Sequence, residues 1–116
     1  SSTYFKGGIV SYTNHLKTVS GVPVSVIEKH GAVSRETAAE LARAVRQKAG
    51  ASVGVSITGV AGPTGATEKT PVGTVFVGIA DDAGVEVKQL YLGGNRHRVR
   101  VLAAQTALDL LRRRVE

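Results

Sequence analysis

The segment 58–73 most constrains how this chain folds. It reads TGVAGPTGATEKTPVG, contains four Gly and two Pro, and joins two runs rich in Val and Ile, residues 52–58 and 73–80. Both runs predict strands. The second is apolar nearly throughout, which predicts a strand buried on both faces at the centre of a sheet. A connection of this length exceeds the roughly two to five residues of an ordinary hairpin. Gly59, Gly62 and Gly65 permit positive φ and close approach of the backbone to a ligand, so amide N–H groups here can face an anion or an amide oxygen. Glycine richness alone fits a loose surface loop equally well; Pro63 and Pro71 restrict the backbone and favour an ordered binding loop.

The rest of the chain supplies helices to cover such a sheet. Residues 9–12 follow Gly7 and Gly8 and predict a short strand, after which Thr13 or Asn14 caps a helical turn carrying Leu16 and Lys17. Residues 24–29 predict one or two helical turns. Ser34 then caps a longer helix through about Lys48, with Ala38, Leu41, Ala42 and Val45 at i, i+3, i+4 and i+7 on one face and Gly50 as its stop. Residues 81–84 read as a turn, and 85–92 alternate as a half-buried strand does. Asn95 caps a final helix with Val99, Leu102, Ala103, Thr106 and Leu110 on one stripe. The order implies an α/β or α+β domain with helices covering a mixed sheet.

Composition excludes several chemistries. With no Cys among 116 residues, thiol catalysis, disulfides and thiolate metal sites are ruled out, and His15, His30 and His97 lack the i, i+4 spacing of helical metal sites. No metal or cofactor is expected. No apolar run approaches the roughly 20 residues that cross a bilayer, and no basic-then-apolar leader opens the chain, so a cytoplasmic location and no membrane partner are expected. Ser1 is not an initiator Met, which fits a processed chain or a piece of something longer. The net charge of +6 suits a phosphate-bearing partner. Basic residues number seven in 1–58 and eight in 59–116, so neither half is a basic tail. Five scattered Phe and Tyr make no stacking platform, which weighs against nucleic acid.

Two side-chain groups could carry chemistry. Arg96, Arg98 and Arg100 open the last helix, where positive charge opposes the helix dipole but, with free backbone N–H groups, could hold a phosphate; a solvated basic turn is the plainer account. Arg112, Arg113 and Arg114 sit where cations stabilise the helix and read as structural. Tyr12 and Lys17 place a phenol at a predicted strand end and an amine about one turn later. A lysine of depressed pKa can accept a proton from a nucleophile, and a tyrosine can relay it, although by spacing alone such a pair is more often a packed ring and a surface amine.

Four blocks in order make the pattern specific: Ser2-Thr3-Tyr4-Phe5-Lys6-Gly7-Gly8 running into Val10-Ser11-Tyr12-Thr13-Asn14 and Lys17; Gly31-Ala32-Val33-Ser34; Thr58-Gly59-Val60-Ala61-Gly62-Pro63 with Gly65 and then Pro71-Val72-Gly73-Thr74-Val75; and Gly94, Arg96 and Arg100. Across essentially its whole length the chain resembles the C-terminal domain of the CinA (competence/damage-inducible) family, similar to nicotinamide mononucleotide deamidases. The resemblance implies a three-layer α/β/α domain that hydrolyses the carboxamide of nicotinamide mononucleotide, giving nicotinate mononucleotide and ammonia without a metal. It implies a serine nucleophile working with a lysine and a tyrosine, which Lys17 and Tyr12 match. Thr58, Gly59, Ala61, Gly62, Pro63 and Gly65 match the substrate loop, and Arg96 matches the arginine expected near it. The implied partner is a small pyridine mononucleotide, and a homodimer is compatible with the resemblance.

The chain also departs from the pattern. The family's serine sits in a Glu-Ser-Cys-Thr-Gly-Gly segment upstream of the first block, and no such segment occurs in these 116 residues. The expectation is therefore an N-terminally incomplete amidase domain spanning 1–116, without its first strand and helix and inert by itself. Thr70 stands where Lys commonly precedes Pro-Val-Gly, and Asn95 where Asp commonly precedes the arginine. Ser11 adjoins Tyr12 and would point to the opposite face of a strand; Ser1 and Ser2 lie at a chain end, a poor platform for chemistry. Two further readings stand beside the amidase: a non-catalytic mononucleotide-binding module and a DNA-associated competence factor.

Overall fold

A computed structural model of the chain describes residues 4–68 and 70–115. Seven elements follow in order: α1 (Asn14–Val19), α2 (Val24–His30), α3 (Arg35–Ala49), β1 (Gly54–Gly59), β2 (Thr74–Asp81), β3 (Gly84–Tyr91) and α4 (Arg96–Val115). The strands form one sheet in the order β1-β2-β3.

Local chemistry sets the helix ends. The Thr13 hydroxyl accepts from the Leu16 amide, the Ser34 hydroxyl from the Thr37 amide and the Asn95 side-chain oxygen from the Arg98 amide, so three helix starts are capped by the residues the sequence predicts. Gly50 closes α3 in the left-handed region at φ 61°.

β2 is buried over its first seven residues, as its unbroken apolar run predicts, and it is the central strand. Side chains alternate across the sheet, so the register pairs Gly54 with Ala80 and Ser56 with Gly78 on one face, and Val55 with Ile79 and Ile57 with Val77 on the other. The first face carries α3 at close range. A Cβ at Gly78 would stand 2.6 Å from the Ala38 carbonyl oxygen, and the Ser56 hydroxyl donates to that same carbonyl at 2.6 Å. Small residues on both elements let the helix backbone approach the sheet, and Ala38 and Ala42 are fully buried there. The second face carries α4: Val75 and Val77 pack with Val99, Ala103 and Ala107, and Val55, Leu90 and Leu110 close the cluster. Helices on both faces make three α/β/α layers, as expected.

Two expectations need correction. The sheet is antiparallel in both ladders, not mixed. No helix intervenes between successive strands, and parallel pairing requires such a crossover. Residues 9–12 form no strand. Their apolar, β-branched character suits a ladder, but a strand exists only where a neighbour accepts its backbone hydrogen bonds, and Val10 is 78% exposed. Ser1 and Ser2, weighed above as nucleophiles, lie outside the described residues.

Candidate active site

The long connection between β1 and β2 is pinned at its base. The Val60 amide donates to the Thr74 carbonyl at 2.9 Å, the Gly73 amide to the Val60 carbonyl at 2.7 Å and the Leu92 amide to the Gly73 carbonyl at 2.8 Å. Farther out, the Thr67 amide donates to the Thr70 carbonyl, and the Thr70 amide donates to the Thr67 hydroxyl. Thr70 thus serves the loop's own turn. Pro63 follows Gly62 through a cis peptide bond, and Ala61 packs against the α4-side cluster.

The glycines of the loop have different reasons. Gly62 and Gly65 take positive φ, 81° and 89°, as the sequence predicts. Gly59 does not; a side chain is excluded there because its Cβ would meet Val75 Cγ2 at 2.8 Å and the Thr74 carbonyl at 3.0 Å. Thr58 is buried, and its hydroxyl donates to the Ala32 carbonyl at 2.7 Å. That bond ties the end of β1 to the turn before α3, where the Ser34 and Thr37 hydroxyls both donate to the Gly31 carbonyl.

Arg96, at the start of α4, donates from its guanidinium to the Gly62 carbonyl at 3.0 Å. The loop is therefore clasped from the α4 layer by the arginine that the resemblance singles out, and one donor of a five-donor group is engaged there.

Lys17 is not a surface amine. It is 8% exposed, its ammonium donates to the Ser11 carbonyl at 3.2 Å, and no carboxylate pairs with it among the described residues. Burial pushes its pKa below the ordinary 10.5, because desolvation penalises the charged form. After α1 the chain runs against α3: a Cβ at Gly21 would stand 3.0 Å from that of Ala44, and Val22 is buried. Tyr12 is not a packed ring; it is 81% exposed, immediately before the α1 cap.

The predicted residues thus form two groups. Thr58, Gly59, Ala61, Gly62, Pro63 and Gly65 follow one another through the strand end and loop, and Arg96 joins them; Tyr12 and Lys17 flank α1. No hydrogen bond or ion pair among the described residues links one group to the other. Two surface grooves flank α3, one of about 540 Å³ lined in part by Arg43 and Arg46 and one of about 410 Å³ lined in part by His30 and Arg35, and neither includes these residues. Sequence reasoning missed Thr74, which is fully buried and donates to the Pro71 carbonyl while its own carbonyl anchors Val60. A threonine at the first position of an apolar run is the signal that could have marked it.

The fold is thus a three-layer α/β/α domain with a glycine loop clasped by Arg96 and a buried lysine. The chain belongs to the CinA C-terminal domain family, whose model matches residues 1–115. It is 47% identical over 116 residues to a CinA-like protein of Koribacter versatilis, covering 99% of this chain and 28% of that protein. Among solved structures it is similar to the competence/damage inducible protein CihA from Agrobacterium tumefaciens, with TM-score 0.83 and 33% identity over 87% of this chain and 63% of that one. It is also similar to a competence-damaged protein (CinA) superfamily protein from Enterobacter cloacae, with TM-score 0.88 and 28% identity over 94% and 65%. The chain spans just over a quarter of the length of the curated relatives it matches. Among the described residues, no helix is long and apolar enough to cross a membrane.

Proposed function

We propose that this domain belongs to a cytoplasmic amidase of the pyridine nucleotide cycle, hydrolysing nicotinamide mononucleotide to nicotinate mononucleotide and ammonia. The observation that carries the reading is Lys17, a buried amine with no carboxylate partner among the described residues and a proton affinity lowered by burial. A lysine that holds its proton less tightly than a solvated one is better suited to act as a general base.

In this reading the neutral Lys17 amine takes the proton of a serine hydroxyl as the serine oxygen bonds to the carboxamide carbon. The carbonyl electron pair moves onto oxygen. Collapse of that adduct breaks the C–N bond, and the proton passes from Lys17 to the departing nitrogen, released as ammonia. Water then attacks the acyl-serine ester by the same route, giving the carboxylate and restoring the serine. Tyr12 relays the proton or hydrogen-bonds the developing charge. Arg96 and the amides of the 59–65 loop take the phosphate, using guanidinium donors other than the one held by Gly62. The serine belongs to the Glu-Ser-Cys-Thr-Gly-Gly segment of the family pattern, which these 116 residues do not contain; Ser11 turns its carbonyl toward Lys17.

The test is ammonia release from nicotinamide mononucleotide by this chain and by a full-length protein that contains it. The longer protein is expected to turn over and the 116-residue chain to be inert. Turnover by this chain at the rate of the longer protein would overturn the assignment of the nucleophile. Binding of the mononucleotide by the longer protein without ammonia release would replace the amidase with a mononucleotide-binding module.

A further inference from the structure

β2 opens on a buried hydroxyl that the packing of the strand does not require. Thr74 is fully buried, and residues 75–80 after it are apolar or glycine. Valine would fill nearly the same volume, suit a strand as well and carry no polar atom to desolvate. The Thr74 hydroxyl donates to the Pro71 carbonyl at 2.7 Å, yet that carbonyl already accepts the Thr74 amide at 3.0 Å. The carbonyl would keep a partner without it. What the hydroxyl adds is a second hold on the four-residue turn 71–74, whose third residue, Gly73, takes at 96° the positive φ that a type II turn requires there.

That turn sets the other end of the loop. The Thr74 carbonyl accepts the Val60 amide at 2.9 Å, and the Val60 carbonyl accepts the Gly73 amide at 2.7 Å. Just beyond Val60, the Gly62 carbonyl meets the Arg96 guanidinium at 3.0 Å. Gly62 also lies over the turn, since a Cβ there would stand 2.8 Å from Val72 Cγ1. The loop amides and the arginine are therefore built outward from the turn that Thr74 closes. Thr74 is already buried by residues of this chain, so its bonds are complete without any other part of a longer protein. Taking the phosphate site from the proposed function, on which this rests, we infer that Thr74 is a positioning residue: its hydroxyl holds the turn that places Gly62 against Arg96, and with them the group that receives the phosphate.

The test uses a full-length protein that contains this domain, with Thr74→Val, which removes the hydroxyl and keeps the shape, and Thr74→Ser, which keeps the hydroxyl. Dissociation constants are measured for nicotinamide mononucleotide and for nicotinamide riboside, which carries the same amide without the phosphate; ammonia release gives kcat and KM. Thr74→Val is expected to weaken the mononucleotide about 3- to 10-fold, the worth of one buried hydrogen bond, and to leave the riboside unmoved. KM should rise by the same factor with kcat unchanged, because the phosphate is held alike in the ground and transition states. Thr74→Ser should behave as the parent protein does. Equal weakening of both ligands, an unchanged mononucleotide affinity, or a Thr74→Ser variant that matches Thr74→Val would each overturn the inference. A parent protein that binds the mononucleotide without releasing ammonia would end the amidase and leave Thr74 to be judged by the dissociation constants. One that binds no mononucleotide would end both.

Discussion

Two cations hold backbone carbonyls in different parts of this domain, and they do so for different ends. Lys17, in α1, reaches the Ser11 carbonyl from a buried position; Arg96, at the start of α4, reaches the Gly62 carbonyl and pins a loop. An ammonium desolvated without a counterion gives up its proton more easily than a solvated one, whereas a guanidinium stays charged at any pH a protein survives. The contrast separates a group suited to moving a proton from one suited to fixing geometry and charge.

The largest expected effect falls on the first group. In a full-length protein containing this domain, Lys17→Ala is expected to lower turnover of nicotinamide mononucleotide by at least about 10³-fold, since a base that acts as a unit with its nucleophile carries most of the rate. The dissociation constant should barely move, and steady-state kinetics with a binding isotherm reads both. Stability adds a signature of its own. Lys17 binds its proton more weakly in the folded chain than in the unfolded one, so the unfolded chain holds more protons between the lowered pKa and 10.5. Stability gained through this group therefore rises with pH across that window. Thermal melts should show the chain gaining on Lys17→Met as pH climbs to 10.5, and a difference that stayed flat with pH would remove the buried base.

Gly62→Ala strikes the second group. It forces a side chain into φ 81° with its Cβ 2.8 Å from Val72 Cγ1. A loss of about 1–3 kcal/mol is expected in urea unfolding. Mononucleotide affinity of the longer protein should fall with it while the Lys17 pKa, followed by NMR, stays in place. A shift of that pKa would mean that the two groups are coupled after all.

Asn95→Ala removes the cap that sets the first turn of α4, with an expected cost of about 1 kcal/mol. Asn95→Asp, the residue commonly found there in the family pattern, should cost little, because its carboxylate accepts the same bond and favours the helix dipole. A full loss on Asn95→Asp would mean that the amide group itself is needed near Arg96.

The smallest effect is at the far end of the same helix. The hydrogen bond from Arg114, with the charge beside it, holds the Asp81 carboxyl at about 2 against an ordinary 3.8. That contribution is fully present above pH 3.8 and lost as pH falls through about 2. Arg114→Ala should therefore lower the melting temperature slightly at pH 6 and not at all below pH 2.

Much of the fold was legible because its signals are local. Thr13, Ser34 and Asn95 cap helices through their own side chains, Gly50 ends α3 by its own backbone freedom, and the apolar run of β2 declares a central strand. Residues 9–12 carried an equally clear strand signal and form no strand, because a ladder depends on a neighbour that the run itself cannot supply. In the candidate site, the residue types of the glycine loop and the arginine were readable. The clasp between Arg96 and Gly62 spans 34 positions, and no spacing rule reaches so far.

By itself, then, the sequence determined which segments are helical, which strand is central and which residue types are available for chemistry, because propensity, capping and periodicity act within a few residues. Tertiary structure alone decided that Lys17 is buried and Tyr12 open, and that Gly59 is required by Val75 and not by its own φ. Burial and close approach are properties of pairs of elements, and only the folded chain brings those pairs together.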